Sequence, residues 1–276
     1  MKVLIIGGDK RNLYMINSFK DKDLDVTGFN MIDDIGNIPF EDIDISLYDV
    51  VIFPVDGIHK DCSITTKFND EQIIIPSNFF SKTKKGVYIF SGINTPILQK
   101  MCKGLNYLKL LEYDDVVKKN GILTAEGIIA DLIYNTPYSI YDTKILVLGC
   151  GNIGKPLINY LNNMGSTVYV GVKEYKDYME QNNSFFTNKD IKDYLNIVDI
   201  VINTVPDRII DKEILSEIKN KPYILDVSSV PYGIDYDEAK KMDLNIKQLP
   251  GIPGKVSPKS ASLILSKKIN NIVKEV

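Results

Sequence analysis

Three glycines in the middle of the chain have the spacing that lets a backbone turn approach a phosphate. The segment reads Gly149-Cys-Gly151-Asn-Ile-Gly154, follows the predicted strand 144–148 with its apolar run 145–148, and precedes apolar residues at helical spacing. A strand, a tight turn and a helix in this order bind a dinucleotide pyrophosphate at the helix N-terminus. We call residues 149–154 the glycine motif. The residues predicted to hold the dinucleotide here are Gly149, Gly151, Asn152, Ile153 and Gly154.

The strand after the glycine motif bears on which dinucleotide is expected. An NAD site usually has Asp or Glu about 20 residues beyond the motif, where it binds the ribose 2′-hydroxyl. That position is Gly171 here, followed by Val172 and Lys173, and Glu174 lies beyond the predicted strand 167–172. Glycine with a nearby cation leaves room for a 2′-phosphate. We therefore predict NADP bound near Val172 and Lys173, with NAD as the alternative and a solvated lysine as the other interpretation of Lys173.

Two further predicted strands of the second half run into polar loops. Asn203-Thr-Val-Pro206 follows one strand, and Asp226-Val-Ser-Ser-Val-Pro231 ends the next. Ligands of open α/β sheets lie outside the carboxyl ends of the strands. The residues expected to line the cofactor are Thr204, Val205, Pro206, Val227 and Ser228, and Ser229 is expected to contact the substrate.

The first half of the chain offers candidates for binding an anion. Arg11 follows Ile6-Gly-Gly-Asp9 at the start of a predicted helix, and it is one of only two arginines. An arginine there suits a carboxylate or phosphate, although a surface pair with Asp9 is an equal alternative. Ser91 and Gly92 end another strand and are expected to face the same ligand. The single histidine, His59, lies among charged residues on a loop, and we do not assign it a role.

Bulk properties exclude several classes of protein. A net charge of −3 over 276 residues gives no general attraction for nucleic acid or anionic membranes. No apolar run reaches membrane-spanning length, and three scattered cysteines without a CxxC pair indicate a reducing cytoplasm and no zinc site. With one histidine, we expect no metal. The 276 residues are enough for two domains.

Alternating strands and helices in both halves predict an α/β protein with two Rossmann-like, doubly wound domains. Residues 1–118 form the substrate domain, residues 119–138 a linking helix with Thr124 as its N-cap, and residues 139–256 the NAD(P)-binding domain. The amphipathic segment 257–276 is predicted to pack back on the first domain.

Six segments together resemble the family of dipicolinate synthase A subunits over essentially the whole chain. They are Gly7-Gly-Asp-x-Arg11, Phe90-Ser-Gly92, Thr124-x-Glu-Gly127, the glycine motif, Asn203-Thr-x-Pro206 and Pro250-Gly-Ile-Pro-Gly-Lys-Val-Ser-Pro-Lys259. The wider architecture is similar to that of two-domain 2-hydroxyacid and alanine dehydrogenases. Where the family pattern has arginine in the second strand, this chain has Lys173.

The resemblance implies a role in endospore-forming bacteria, where the A subunit of dipicolinate synthase works with a flavoprotein-like B subunit to make dipicolinate. The implied substrate is dihydrodipicolinate or its hydroxylated tetrahydro precursor, which first loses water. Its two carboxylates make Arg11 and Lys255 the expected binding partners. Aromatisation of the ring releases a hydride and a proton, and Glu126 is our candidate for the base, with a helix N-terminal carboxylate as the alternative. We also expect a homo-oligomer.

Two other functions remain open at this stage. A generic hydroxyacid or amino-acid dehydrogenase usually relies on a histidine in its second domain, and residues 139–256 contain none. The chain could instead be a non-catalytic, nucleotide-binding component of the synthase whose partner performs the oxidation. The absence of a clear acid or base in the sequence keeps this second alternative in place.

Overall fold

A computed structural model describes residues 1–22, 24–29, 42–68, 73–174 and 184–274. These residues form two compact units. Unit 1 comprises residues 1–120 and 253–276, and unit 2 comprises residues 121–252. The boundary falls inside one long helix, within the segment 119–138 that was predicted to link the two domains. The predicted end of the last helix, at residues 275–276, lies outside the described residues.

The elements of unit 1 before its long helix are, in chain order, β1 (Lys2–Ile6), α1 (Lys10–Lys20), β2 (Asp25–Phe29), β3 (Val50–Ile52), β4 (Ser63–Ile64), β5 (Ile73–Ile74), β6 (Tyr88–Ser91), α2 (Pro96–Met101) and β7 (Asn106–Lys109). Five of the strands form a parallel sheet in the order β2-β1-β3-β6-β7. The short strands β4 and β5 pair antiparallel outside this sheet. Residues 3–6 of β1 are all buried, as expected of a central parallel strand covered on both faces.

The start of α1 is fixed by a capping box. The Asp9 carboxylate accepts from the backbone N–H of Arg11 at 2.9 Å, and the Asn12 side chain accepts from the backbone N–H of Asp9 at 3.4 Å. These bonds satisfy backbone donors that the first turn leaves without helical partners. The helix therefore begins directly after the Gly7-Gly8 turn at the carboxyl end of β1, and Arg11 lies in its first turn.

Helix α3 extends from Asp114 to Asn135, which corrects the prediction that this helix begins at Thr124. Asp114 and Asp115 occupy its first turn, where negative charge is favoured by the helix dipole. Thr124 is buried in the interior of the helix rather than capping its end. A continuous helix of 22 residues therefore runs through the unit boundary.

The elements of unit 2 after α3 are β8 (Lys144–Leu148), α4 (Gly154–Asn163), β9 (Thr167–Val172), β10 (Ser184–Thr187), α5 (Ile191–Leu195), β11 (Ile200–Asn203), α6 (Lys212–Ser216), β12 (Tyr223–Asp226), α7 (Tyr236–Lys241) and β13 (Ile246–Gln248). The six strands form a parallel sheet in the order β10-β9-β8-β11-β12-β13. The sequence did not predict the two edge strands, β10 and β13. The doubly wound α/β class is confirmed.

Two more helices complete the chain, α8 (Ile252–Val256) and α9 (Pro258–Lys274). Helix α9 packs against α1, and its Leu265 and Ile269 lie in the same apolar cluster as Met15 and Phe19. Burying such side chains stabilises the folded state by about 1.5–3 kcal/mol each. The predicted packing of the C-terminal helix on the first domain is therefore confirmed.

Candidate functional site

The glycine motif forms the predicted turn between β8 and α4. Gly149 has φ +95°, a backbone conformation that side chains strongly disfavour. A Cβ at Gly154 would lie 2.1 Å from the carbonyl oxygen of Gly149, so any side chain there would separate the helix from the end of the strand. Gly149 is therefore required by its positive φ, and Gly154 by the close approach of two backbone segments.

Open space lies beside the middle glycine of the turn. A Cβ at Gly151 would meet nothing within 4 Å, in contrast to its two partners in the motif. Among the described residues, no side chain caps the first turn of α4. The positive end of a helix attracts anions, so the turn fits the pyrophosphate of a dinucleotide. Helix α3 also packs closely against the turn, since a Cβ at Gly121 would lie 2.1 Å from the carbonyl oxygen of Asn152.

The loop after β11 packs against the same turn. The Thr204 hydroxyl donates to the carbonyl oxygen of Leu148 at 2.8 Å, and the backbone N–H of Thr204 donates to that oxygen at 3.0 Å. A Cβ at Gly149 would lie 2.5 Å from Thr204 Oγ1 and 2.7 Å from Val205 Cγ2. Two of the predicted cofactor residues, Thr204 and Val205, therefore lie at the glycine motif, and Pro206 follows them on the surface.

A buried carboxylate connects this loop to the end of β12. Asp226 has no exposed surface and accepts from Asn203 Nδ2 at 3.0 Å. It also accepts from the backbone N–H groups of Ser228 at 3.0 Å and Gly233 at 3.3 Å. The hydroxyl of Tyr236 donates to it at 2.7 Å. Burial raises the pKa of Tyr236, and the bond to Asp226 acts in the same direction, so this hydroxyl keeps its proton.

The predicted residues just beyond Asp226 differ in exposure. Val227 is half-buried and its backbone N–H donates to the carbonyl oxygen of Asn203 at 3.0 Å. Ser228 is buried, and among the described residues its hydroxyl has no hydrogen-bond partner. Ser229 is exposed. Ser228 therefore retains unused hydrogen-bonding capacity at the carboxyl end of the sheet.

The structure corrects the argument made from Gly171. A Cβ there would lie 2.7 Å from Leu148 Cδ2 and 3.2 Å from Phe186 Cζ, so the glycine accommodates the packing of apolar side chains. The space that the sequence suggested for a 2′-phosphate is therefore filled. Val172 is the buried last residue of β9, and Lys173 follows it with an exposed side chain. Only Lys173 still supports recognition of a 2′-phosphate.

In unit 1, Arg11 forms an ion pair with Asp9 but is not a surface arginine. Its Nη2 lies 2.8 Å and its Nε 3.0 Å from the Asp9 carboxylate, and its side chain is only 15% exposed. A Cβ at Gly254 would lie 2.8 Å from Arg11 Nε, so α8 closes over the pair. Among the described residues Nη1 has no partner and remains available as a donor. Lys255, next in α8, is exposed.

The Ser91 hydroxyl does not face a ligand, contrary to the sequence expectation. Ser91 has no exposed surface, donates to the carbonyl oxygen of Ile93 at 2.7 Å and shares a 2.8 Å hydrogen bond with Tyr107. Gly92 is also buried, and a Cβ there would lie 2.5 Å from the carbonyl oxygen of Val55. These residues hold the β6 loop against the β3 loop.

Glu126 lies in the interior of α3, so the alternative interpretation as a helix N-terminal carboxylate is wrong. Its side chain is exposed, and no described residue forms a hydrogen bond or ion pair with it. It follows Gly121, which contacts the glycine motif, by five residues, or about 7.5 Å along the helix axis. An unpaired carboxylate thus lies about one and a half turns beyond that contact.

His59 belongs to a hydrogen-bonded chain in unit 1. Its Nε2 lies 2.9 Å from Thr65 Oγ1 and 3.6 Å from Asp56, and the Thr65 hydroxyl in turn donates to Asp56. Because an ionised carboxylate only accepts, the threonine proton goes to Asp56 and the imidazole donates from Nε2. The His59 and Asp56 side chains are each 45% exposed, which is typical of a surface pair of modest energy.

Sequence reasoning missed two contributors to the cofactor site, Asp226 and Gly121. The sequence did contain a signal for Asp226, since an acidic residue inside an apolar strand must find partners when buried.

Within the described ranges, no group of three His, Cys, Asp or Glu residues could hold a metal ion. No helix in the described part of the chain is long and apolar enough to span a membrane.

Comparisons with known proteins agree with this geometry. Residues 2–113 match the N-terminal domain of the dipicolinate synthase A subunit. Residues 110–229 match the NAD binding domain of D-isomer specific 2-hydroxyacid dehydrogenases. The dipicolinate synthase A subunit of Bacillus subtilis (strain 168) is 30% identical over 292 residues, covering 100% of this chain and 97% of that protein.

Solved structures give the same relationship. The crystal structure of the dipicolinate synthase A subunit from Bacillus halodurans has a TM-score of 0.91 and 29% identity, covering 98% of this chain and 97% of that one. The D-lactate dehydrogenase of Escherichia coli has a TM-score of 0.65 at 13% identity, covering 99% and 96%, which shows a shared fold alone. The matched domain and the geometry of the glycine motif support a nicotinamide dinucleotide as cofactor. From its sequence identity over the whole chain, this protein belongs to the family of dipicolinate synthase A subunits.

Proposed function

We propose that this protein is the oxidoreductase component of a dipicolinate synthase. It oxidises dihydrodipicolinate, or the hydroxylated tetrahydro precursor after loss of water, with NADP as acceptor. The observation that carries the proposal is the uncapped N-terminus of α4, with open space beside Gly151, in a chain of this family. We further propose that it acts in the cytoplasm during sporulation, as a homo-oligomer and together with the B subunit of the synthase.

The chemistry divides between a hydride and a proton. When bound, the dinucleotide would accept the hydride that the ring loses on becoming aromatic. The glycine motif would hold the pyrophosphate through backbone N–H groups, with Thr204, Val205 and Ser228 beside it. Because aromatisation is downhill, the protein has mainly to orient the substrate and accept one proton.

Unit 1 supplies the donors for a dicarboxylate. The Asp9 carboxylate holds two nitrogens of Arg11, which fixes the guanidinium and leaves Nη1 to donate. Asp9 also neutralises the arginine, so the attraction for a dianion requires additional positive charge. Exposed Lys255 of α8, which follows the glycine that closes over the pair, provides that charge.

Two other functions remain as alternatives. A generic hydroxyacid dehydrogenase is disfavoured because the only histidine of the chain lies in unit 1. A nucleotide-binding component without catalysis is the other alternative.

The proposed reaction is tested by mixing the purified chain with dihydrodipicolinate and NADP, with and without the B subunit. We expect reduced nicotinamide and dipicolinate to form in equal amounts, as measured by absorbance and chromatography. Dipicolinate formed without any reduced nicotinamide would favour the non-catalytic alternative. No reduction of NADP or NAD in any combination would contradict the proposed function.

Replacing Lys173 with alanine tests the choice of cofactor. The exposed ammonium is expected to contact a 2′-phosphate, an interaction of about 1 kcal/mol or less at the surface. The Kd for NADP should therefore rise up to about fivefold in a calorimetric titration, while the Kd for NAD stays unchanged. Lys144→Ala, which removes an exposed lysine at the amino end of β8, is the matched control. Tighter binding of NAD than NADP by the unaltered protein would refute the assignment.

Replacing Arg11 with alanine tests the substrate site. Loss of a hydrogen bond to a charged group costs about 1.5–3 kcal/mol, so the KM for the dicarboxylate should rise roughly ten- to a hundredfold. The control is Arg208→Ala, since this arginine is 62% exposed and 4.0 Å from Asp235. Identical steady-state kinetics for both variants would contradict the proposed binding of the substrate by Arg11.

Replacing Glu126 with glutamine tests the proton acceptor. A general base contributes about 10²–10⁴-fold to the rate, so kcat should fall within that range while the KM values change little. His59→Gln should leave kcat within about twofold, because its surface hydrogen bonds contribute little. The opposite result, a large loss with His59→Gln and none with Glu126→Gln, would transfer the role to His59.

A further inference from the structure

We infer that Asp226 is a positioning residue of the dinucleotide site. Its buried carboxylate holds the Asn203–Val205 loop in the conformation that packs against the turn of the glycine motif. The inference rests on the proposed binding of a dinucleotide by unit 2. Asp226 would not itself contact the cofactor, because it has no exposed surface.

The carboxylate is fully occupied by donors from three segments of unit 2. Asn203 Nδ2 and the Ser228 N–H, both at 3.0 Å, donate to Oδ1. The Gly233 N–H at 3.3 Å and the Tyr236 hydroxyl at 2.7 Å donate to Oδ2. A carboxylate accepts about four hydrogen bonds, so these four donors leave no acceptor position for a ligand. Asp226 therefore connects the loops after β11 and β12 through hydrogen bonds and has a structural role rather than that of a catalytic base.

The side chain of Asn203 links Asp226 to the loop. Its Nδ2 donates to the carbonyl oxygen of Val205 at 2.9 Å as well as to Asp226, and its Oδ1 accepts from the backbone N–H of Val205 at 3.2 Å. The two bonds to Val205 close a ring that fixes the direction of the loop. Gly233 allows the approach, since a Cβ there would lie 2.0 Å from Asn203 Nδ2.

The loop then sets the geometry of the phosphate turn. Thr204 Oγ1 and Val205 Cγ2 lie 2.5 Å and 2.7 Å from the position that a Cβ of Gly149 would occupy, so the loop packs directly against the turn. The hydroxyl and backbone N–H of Thr204 also donate to the carbonyl oxygen of Leu148, directly before the turn, at 2.8 Å and 3.0 Å. A displacement of the loop would therefore displace the turn. Because the backbone N–H groups of the turn must point at the pyrophosphate, dinucleotide affinity should depend on Asp226.

A second buried carboxylate in the same unit provides a matched control. Asp131 of α3 accepts from the Tyr223 hydroxyl at 3.1 Å and from Asn135 Nδ2 at 3.1 Å, and it pairs with Lys247. Tyr223 begins β12 and Asp226 ends it, so the two networks lie at opposite ends of one strand, about 10 Å apart along it. Changes at the two sites should lower stability similarly, but only those at the carboxyl end should affect the cofactor.

The test compares Asp226→Asn, Asn203→Ala and Asp131→Asn with the unaltered full chain. Asparagine keeps the shape of Asp226 but turns an amide donor toward groups that already donate. Kd values for NADP and its reduced form are measured by calorimetry and nicotinamide fluorescence, and Tm by thermal unfolding. We expect Asp226→Asn and Asn203→Ala to weaken binding at least tenfold, and Asp131→Asn to lower Tm with Kd within twofold.

Two outcomes would overturn the inference. One is a folded Asp226→Asn or Asn203→Ala protein that binds within twofold of the unaltered chain. The other is an Asp131→Asn protein whose affinity falls as much as that of the Asp226 variant. If Asp226→Asn does not fold, Asn203→Ala decides alone. Failure of the unaltered chain to bind any dinucleotide would instead contradict the proposed function and the inference together.

Discussion

The backbone contact between Gly154 and the carbonyl oxygen of Gly149 is the constraint on which unit 2 depends. A side chain at Gly154 would separate the start of α4 from the end of β8, and one at Gly149 would displace the loop after β11. Because the contact is made by backbone alone, α4 begins directly above the carboxyl edge of the sheet, and no described side chain caps its first turn. The loop after β11 then packs against the turn, and the buried carboxylate at the end of β12 connects that loop to the one after β12.

In unit 1, the helix after the first strand begins at an ion pair. The turn after β1 also contains glycines with positive φ, but here the helix that follows is capped by Asp9. The same carboxylate orients Arg11, so one aspartate both satisfies the helix end and fixes the cation. The two units thus use the start of the helix after their first strand differently. In the described part of unit 2 no side chain caps that helix, whereas unit 1 presents a fixed guanidinium.

Features encoded in neighbouring residues could be predicted from the sequence. The strand, turn and helix around the glycine motif lie within 20 residues, and both flanks carry their own periodicity.

The sequence predictions were wrong or incomplete where residues distant in the chain decide the local structure. Gly171 was interpreted as making room for a ligand, although Leu148 of the adjacent strand and Phe186 fill that room. The start of α3 was placed at Thr124, although the helix already includes Gly121, a residue that is unfavourable inside helices and is explained here by its contact with Asn152. The partners of Asp226 come from 2 to 23 residues away and could not be paired without coordinates.

The helix α9 has a consequence for how the chain folds. Unit 1 is made of two separated stretches, and its core includes Leu265 and Ile269 from the second of them. Unit 2 is continuous, from 121 to 252, and contains its own apolar clusters. On a ribosome, where domains tend to fold as they are completed, the dinucleotide-binding unit is therefore able to finish folding first. The unit that begins the chain must wait with an incomplete core until the last helix has been synthesised.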